Sequence, residues 1–344
     1  MSVVTTTRES GSGLAPSPLV VRSWKAPIAF AVFTVLGAVL FIALARGGDT
    51  TYRLSNDTDA IVLPAIVLPA DATGIVTVLL MTVIAVYGFL VVRGGRRIPL
   101  WLTTIFAILF LLGFLTWAAA GSTVPLVGLL AGALTVSTPL IFGSLGGVIS
   151  ERVGVVNIAI EGQLLAGAFT AALVATATGS AWAGLIAAMV AGAAVSAVLA
   201  AFAIKYLVDQ VIVGVVLNVL VIGLTSFLFS TVMTGNPDLF NKPARFERLP
   251  IPLLSDIPVV GPILFNQSLI VYAMFLLVPL VWFGLFKTRW GLRLRAVGEH
   301  PKAADTVGIK VAQTRFWNVL LAGVIVGGGG AFFTLVAIGS FTKE

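Results

Sequence analysis

The chain has no cysteine and a single histidine, His300. Disulfides, thiolate metal sites and thiol nucleophiles are therefore excluded, and one imidazole cannot build a histidine-rich metal cluster. Charge is also scarce. Asp, Glu, Lys and Arg make up 10% of the 344 residues, against about 25% in a soluble domain. Enzyme signatures are missing as well: there is no G-x-x-x-x-G-K-[ST] loop, no G-x-S-x-G and no H-E-x-x-H. No cofactor and no metal are expected. What is abundant is apolar surface. Hydrophobic residues are 58% of the sequence and the mean hydropathy is +1.08. The polar groups cannot cover a globule in water, so the solvent of this chain is largely lipid.

A bilayer core of about 30 Å is crossed by roughly 20 apolar residues at 1.5 Å each. Runs of that kind lie at 26–45, 75–92, 98–119, 125–149, 154–178, 181–204, 211–233, 269–286 and 316–339. They are continuous rather than alternating, which indicates helices and not a lipid-facing barrel. The expected fold is an all-α polytopic membrane protein with about nine spans. The fourth and fifth runs are barely separated, so one of them is expected to be broken or re-entrant. Residues 1–25 are rich in Ser, Thr, Gly and Pro and read as a disordered cytoplasmic N-terminus. The first run lacks a small-residue cleavage site and suits a spanning helix better than a signal peptide.

The net charge of +7 does not point to nucleic acid, because most basic residues sit in short segments between spans. With the N-terminus inside, 15 of the 21 Lys and Arg residues fall on the cytoplasmic side, as the positive-inside rule requires. A Pro-rich, roughly neutral loop at 234–268 then lies outside. It is either a docking surface or a passive connector. A strongly basic loop at 287–315 lies inside.

Polar residues inside apolar runs are costly. An acidic side chain at a helix centre costs roughly 2.5 to 3.5 kcal/mol. Glu161 falls in such a run, with Asn157 and Gln163 beside it. Continuous helix would put Gly154, Asn157 and Glu161 on one face. Three readings stay open: a polar lining or gate of a translocation path, an interhelical hydrogen-bond clamp, or a pairing of Glu161 with Arg152 near the membrane interface. Clamp or gate is favoured over direct substrate contact. Asn218 is another amide of this kind, whereas Asn318 reads as a simple interhelical bond. The small-xxx-small pairs Gly128/Gly132, Gly143/Gly147 and Gly323/Gly327 suit tight helix crossings. Four consecutive glycines, Gly327 to Gly330, weaken a helix by about 1 kcal/mol each relative to Ala. A kink or unwound stretch is expected there, lining a cavity or acting as a hinge, with tight packing as the alternative.

In the basic loop, Pro301 is placed to open a short helix over Lys302 to Val307, with Gly308 ending it. Ala303 and Ala304 supply small contacts. Docking to a cytosolic partner is preferred over a loop whose charges only fix topology. His300 reads as a surface residue or part of that contact.

The stretch Ile149-Ser-Glu-Arg-Val-Gly-Val-Val-Asn157-Ile-Ala-Ile-Glu161-Gly-Gln163 resembles the "GVxNIxxEGQ" segment of ATP-binding-cassette importer permeases. These form the branched-chain amino acid and ribose permease superfamily, and the nearest likeness is to nucleoside and simple-sugar uptake permeases. Val211 to Asn218 and the "GEHPKAADTVGI" loop agree. Together the similarity covers roughly Thr135 to Gly339. The resemblance implies a permease domain over 26–339 in the cytoplasmic membrane of a prokaryote. Its partners would be a second permease subunit, cytosolic ATPase subunits and an external substrate-binding lipoprotein. Asn157, Glu161, Gln163 and Asn218 would line or gate the path. Arg293, Arg295, His300, Pro301, Lys302, Ala303, Ala304 and Gly308 would touch the ATPase. Lys302-Ala-Ala-x-x-x-Gly308 is similar to the E-A-A-x-x-x-G coupling pattern, with Lys in place of Glu. The family pattern also implies at least one more membrane helix beyond Glu344. The cargo implied is a small polar solute, a nucleoside first, with a branched-chain amino acid or a pentose as alternatives. An ion-coupled secondary carrier in which Glu161 titrates, and a non-transporting scaffold, are the rival functions.

Overall fold

The computed structural model describes residues 23–55 and 61–342. The proposed disordered N-terminus falls mostly outside the described residues. The described chain divides into two compact units. One covers the residues up to Leu54 together with Leu63–Leu126, and the other contains Val127 onward.

The first unit holds α1 (Lys25–Ala38), α2 (Ala70–Arg93) and α3 (Leu100–Ala118). Phe30, Met81, Leu102 and Phe106 form its core, with Phe30 and Phe106 stacked at 4.4 Å between ring centroids. Three short strands, β1 (Asp49–Arg53), β2 (Ile66–Pro69) and β3 (Thr123–Pro125), join the helix ends in the order β2-β1-β3.

The second unit contains α4 (Leu126–Arg152), α5 (Ile160–Thr178), α6 (Ala181–Ala200), α7 (Gln210–Leu228) and the single-turn α8 (Pro237–Phe240). A hairpin of β4 (Arg248–Pro250) and β5 (Asn266–Ser268) follows, then α9 (Leu269–Lys287), α10 (Arg289–Glu299), α11 (Pro301–Thr306) and α12 (Val311–Phe332). The prolines at 250, 252, 258 and 262 keep the segment before α9 free of long helix. The α7 start is fixed by Asp209, whose Oδ1 accepts from the backbone N–H of Val211 at 2.8 Å, and Gly179 ends α5 in the left-handed region at φ +66°.

Among the described residues, nine helices are long and apolar enough to cross a membrane. Their bounds follow the nine apolar runs closely, except that the fifth begins at Ile160 rather than 154. The molecule is an all-α multi-pass membrane protein; among the described residues the strands are at most five residues long, too short to span. Outward-facing side chains are apolar along the spans, for example Leu79 and Val83 in α2 and Ile186 and Val190 in α6, as lipid contact requires.

The α12 helix is the axis of the second unit: 72% of its apolar window is buried, against 44% or less for the others. Its four glycines do not unwind. Residues 311–332 are continuous helix, and Gly327 to Gly330 are all buried. The physical reason is close packing. A Cβ on Gly192 would stand 2.7 Å from the Cα of Gly327, and a Cβ on Gly167 would stand 3.0 Å from the same atom. The bonus of backbone-to-backbone approach outweighs the propensity cost.

Candidate functional site

The helix assumed to run through Asn157 does not exist. The α4 helix ends at Arg152, Gly154 turns the chain at φ +81°, and α5 begins at Ile160. Gly154, Asn157 and Glu161 therefore do not share a helix face. The seven residues between contain non-helical backbone, whose polar groups need partners outside the helix ladder. Side chains of α7 and α12 meet several of them. The Val153 carbonyl accepts from Arg315 Nε at 3.1 Å. Val156 N–H donates to Gln210 Oε1 at 3.0 Å. Asn218 takes both sides of the α5 start: its Nδ2 donates to the Ile158 carbonyl at 2.9 Å, and its Oδ1 accepts from Gly162 N–H at 2.8 Å.

Behind this loop lies a buried side-chain chain. The amides of Asn157 and Gln163 bond each other reciprocally, at 3.2 Å in each direction. Gln163 Nε2 also donates to Ser196 Oγ on α6 at 2.9 Å. Asn157 Oδ1 further accepts from Ala159 N–H at 3.1 Å. Gln163 and Ser196 are fully buried, and Asn157 nearly so. The three side chains tie the loop, α5 and α6 into one seam, and Asn218 ties α7 to the same loop.

Glu161 stands apart from that seam. It is exposed in the first turn of α5, where the helix dipole favours a carboxylate. It lines a cavity of about 220 Å³ with Leu165, Ala168 and Phe341. It does not pair with Arg152, whose guanidinium lies 5.6 Å over the Phe286 ring instead.

The basic loop is two helices. Thr288 caps α10, its Oγ1 accepting from Gly291 N–H at 3.2 Å. Leu294 and Val297 bury its inner face, and Trp290 Nε1 donates to Asn318 Oδ1 on α12 at 3.0 Å. Arg293 is exposed, while Arg295 is half-buried with its guanidinium 5.5 Å over Phe286. His300 is exposed and makes no side-chain cap to α11. Pro301 opens α11, Lys302 and Ala303 face out, Ala304 is buried, and Gly308 closes the turn at φ +84°. The end of α10 touches the α4–α5 loop directly: a Cβ on Gly298 would stand 3.3 Å from Gly154 N. The α10–α11 hairpin and the seam are thus joined through one short piece of backbone.

Ser196, Gln210 and Arg315 escaped the sequence reading. Ser196 is a lone hydroxyl in an Ala-rich run, a residue that commonly bonds its own helix. Only its place beside a buried amide makes it a partner. Among the described residues there is no group of three or more His, Cys, Asp or Glu side chains able to hold a metal.

A bundle of apolar helices with a buried polar seam and a basic hairpin at one end defines a membrane transport permease. Residues 129–341 match the family described as branched-chain amino acid transport system / permease component, and the chain belongs to that family. The match falls within the second unit. The nucleoside ABC transporter permease protein NupC of Lactococcus lactis is 39% identical over 221 residues, 62% of this chain and 69% of that one. The guanosine ABC transporter permease protein NupQ of Bacillus subtilis is 42% identical over 215 residues, 60% of this chain and 66% of that one. A putative glucose ABC transporter permease protein, TsgC13 of Haloferax volcanii, is 37% identical over 213 residues, 60% and 63% of the two chains. The chain thus spans about two thirds of the length of these relatives. No solved structure matches it.

Proposed function

We propose that this chain is the permease subunit of an ATP-driven importer that carries nucleosides across the cytoplasmic membrane of a prokaryote. The N-terminus is inside, and the α10–α11 hairpin faces the cytosol. Its partners are cytosolic ATPase subunits, a second permease subunit and an external substrate-binding lipoprotein. The nucleoside reading draws on the printed names of two relatives at 39% and 42% identity.

The observation that carries the mechanism is the close approach of Gly298 to Gly154. An ATPase that grips Arg293, His300, Pro301, Lys302 and Ala303 on the exposed side of α10–α11 pushes on the α4–α5 loop. That loop is the attachment point of the Asn157–Gln163–Ser196 seam and of Asn218. A displacement of the hairpin therefore shifts α5 relative to α6 and α7 and alternates access. In this scheme Asn157, Gln163 and Asn218 are the gate's hinge pins, acting as a clamp. Glu161 borders the path at the first turn of α5. Residues 26–339 act as the membrane domain, with the 234–268 loop outside.

The test is affinity purification of the intact membrane complex. An ATPase and a lipoprotein that binds guanosine are the expected companions. A chain that purifies alone and supports ion-gradient uptake would refute the reading.

A further inference from the structure

At the end of α12 remote from α10–α11 lies a second, polar cavity of about 710 Å³. Its size falls within the roughly 300 to 1,000 Å³ of small-molecule sites. Its walls come from α4 (Thr135), from the segment before β4 (Glu247), from the β4–β5 hairpin (Arg248, Gln267, Ser268) and from the buried ring of Phe332.

The backbone and part of the polar shell are held in place, while the side chains of Arg245, Glu247 and Arg248 are exposed. Arg248 and Ser268 are cross-strand partners, so their side chains share one face of the hairpin. Tyr272 Oη donates to the Leu249 carbonyl at 2.8 Å and accepts from Gln267 N–H at 3.2 Å. Gln267 Nε2 spends one hydrogen on the Ile263 carbonyl at 2.7 Å. On the other side, Arg245 Nη2 donates to the Val336 carbonyl at 2.6 Å, and Phe246 N–H donates to the Leu335 carbonyl at 3.0 Å.

One group in this shell is unaccounted for. Ser268 stands at the N-cap of α9, yet its hydroxyl makes no cap bond. It is 2% exposed, and its Oγ has no hydrogen-bond partner. A buried hydroxyl without a partner is costly and uncommon in a folded protein. Here it borders the cavity.

We infer that this cavity is a binding site for a neutral nucleoside, taken up on the external side before it reaches the seam. The inference rests on the permease reading above. The two guanidinium groups of Arg245 and Arg248 donate to base carbonyl and ring nitrogen acceptors. Glu247 accepts from ribose hydroxyls, Ser268 Oγ completes its bonding on the ligand, and Phe332 supplies an apolar wall for the base. The carboxylate of Glu247 offsets one of the two guanidinium charges in this wall; the neutral class comes from the permease reading, and GMP competition tests it.

The full chain is reconstituted in nanodiscs without any binding protein, and tritiated guanosine is the probe, with GMP, glucose and leucine as competitors. Saturable guanosine binding is expected, weakened about five- to tenfold by Ser268→Ala and more by Arg248→Ala. Ser268→Ala should leave the thermal stability of the ligand-free protein unchanged or raised, because it removes an unsatisfied buried hydroxyl; a merely structural serine would lower it. Competition by GMP equal to that by guanosine overturns the neutral class. Absence of guanosine binding, with ATP-dependent guanosine uptake by cells intact in Ser268→Ala and Arg248→Ala, overturns the site and leaves the permease reading standing. Loss of uptake in Arg248→Ala without any binding in nanodiscs makes this face a docking surface for a protein and likewise overturns the site. Cells that take up no nucleoside through the wild-type importer refute both readings.

Discussion

Replacing Gln163 by Leu removes the middle of the buried seam at nearly constant volume. Gln163 makes two bonds to Asn157 at 3.2 Å and one to Ser196 at 2.9 Å. Interhelical bonds in membranes average about 0.6 kcal/mol and reach about 1.7, and each orphaned buried partner adds about 1 to 3 kcal/mol. Asn157 keeps its bond to Ala159 N–H at 3.1 Å, and the Ser196 hydroxyl can turn to a carbonyl of its own helix. The cost therefore sits toward the low end, about 2 kcal/mol. Ser196→Ala alone should cost about 0.5 to 1.5 kcal/mol. In the Gln163→Leu background it should cost nothing or stabilise, because the bond to Gln163 is already gone and a hydroxyl bonded back to its own helix adds little. The assay is equilibrium unfolding of all four proteins in mixed micelles. Costs that add within about 0.5 kcal/mol would show that the residues act independently, and the seam would not exist as a unit.

Other outcomes follow from packing and exposure. Gly192→Ala should destabilise by at least about 1 to 3 kcal/mol, since the added carbon meets Gly327 backbone, whereas Gly223→Ala, with open space around it, should stabilise by up to about 1 kcal/mol in the same unfolding assay. Ala303→Arg on the exposed side of α11 should leave folding unchanged and reduce the transport-stimulated ATPase rate of the purified complex. Lys242→Ala breaks a 3.3 Å ion pair with Asp238 in which both side chains are largely exposed; its effect on stability should stay under about 0.5 kcal/mol. Because the chain has no cysteine, His300→Cys gives a single labelling site, expected to react with an impermeant maleimide only in inverted vesicles.

The spans were legible because continuous apolar runs of membrane length have few other uses. The seam was legible only as a set of residue types. Asn157, Gln163 and Asn218 stood out as amides in apolar surroundings, and each makes side-chain bonds between neighbouring elements. Their geometry was hidden, since Val153, Val155, Val156 and Ile158 keep hydropathy high through the α4–α5 loop, and hydropathy does not see the φ of +81° at Gly154. Glu161 drew attention by its charge, yet it lies outside the bonded cluster. The four glycines of α12 misled in the opposite sense: helix propensity is a local quantity, and the backbone contacts that override it come from α5 and α6. The short α11 helix was legible because proline at its start and glycine after its end are local signals. Ser268 carried no signal at all, since an unpartnered hydroxyl is visible only in three dimensions.

The most direct measurement is guanosine uptake into proteoliposomes holding the purified complex, with ATP supplied to the face that carries His300 and all ion gradients collapsed. Guanosine accumulation that needs ATP, and that stops when the α10–α11 surface is altered by Ala303→Arg, is the expected result. Accumulation driven by a proton or sodium gradient without ATP would contradict it.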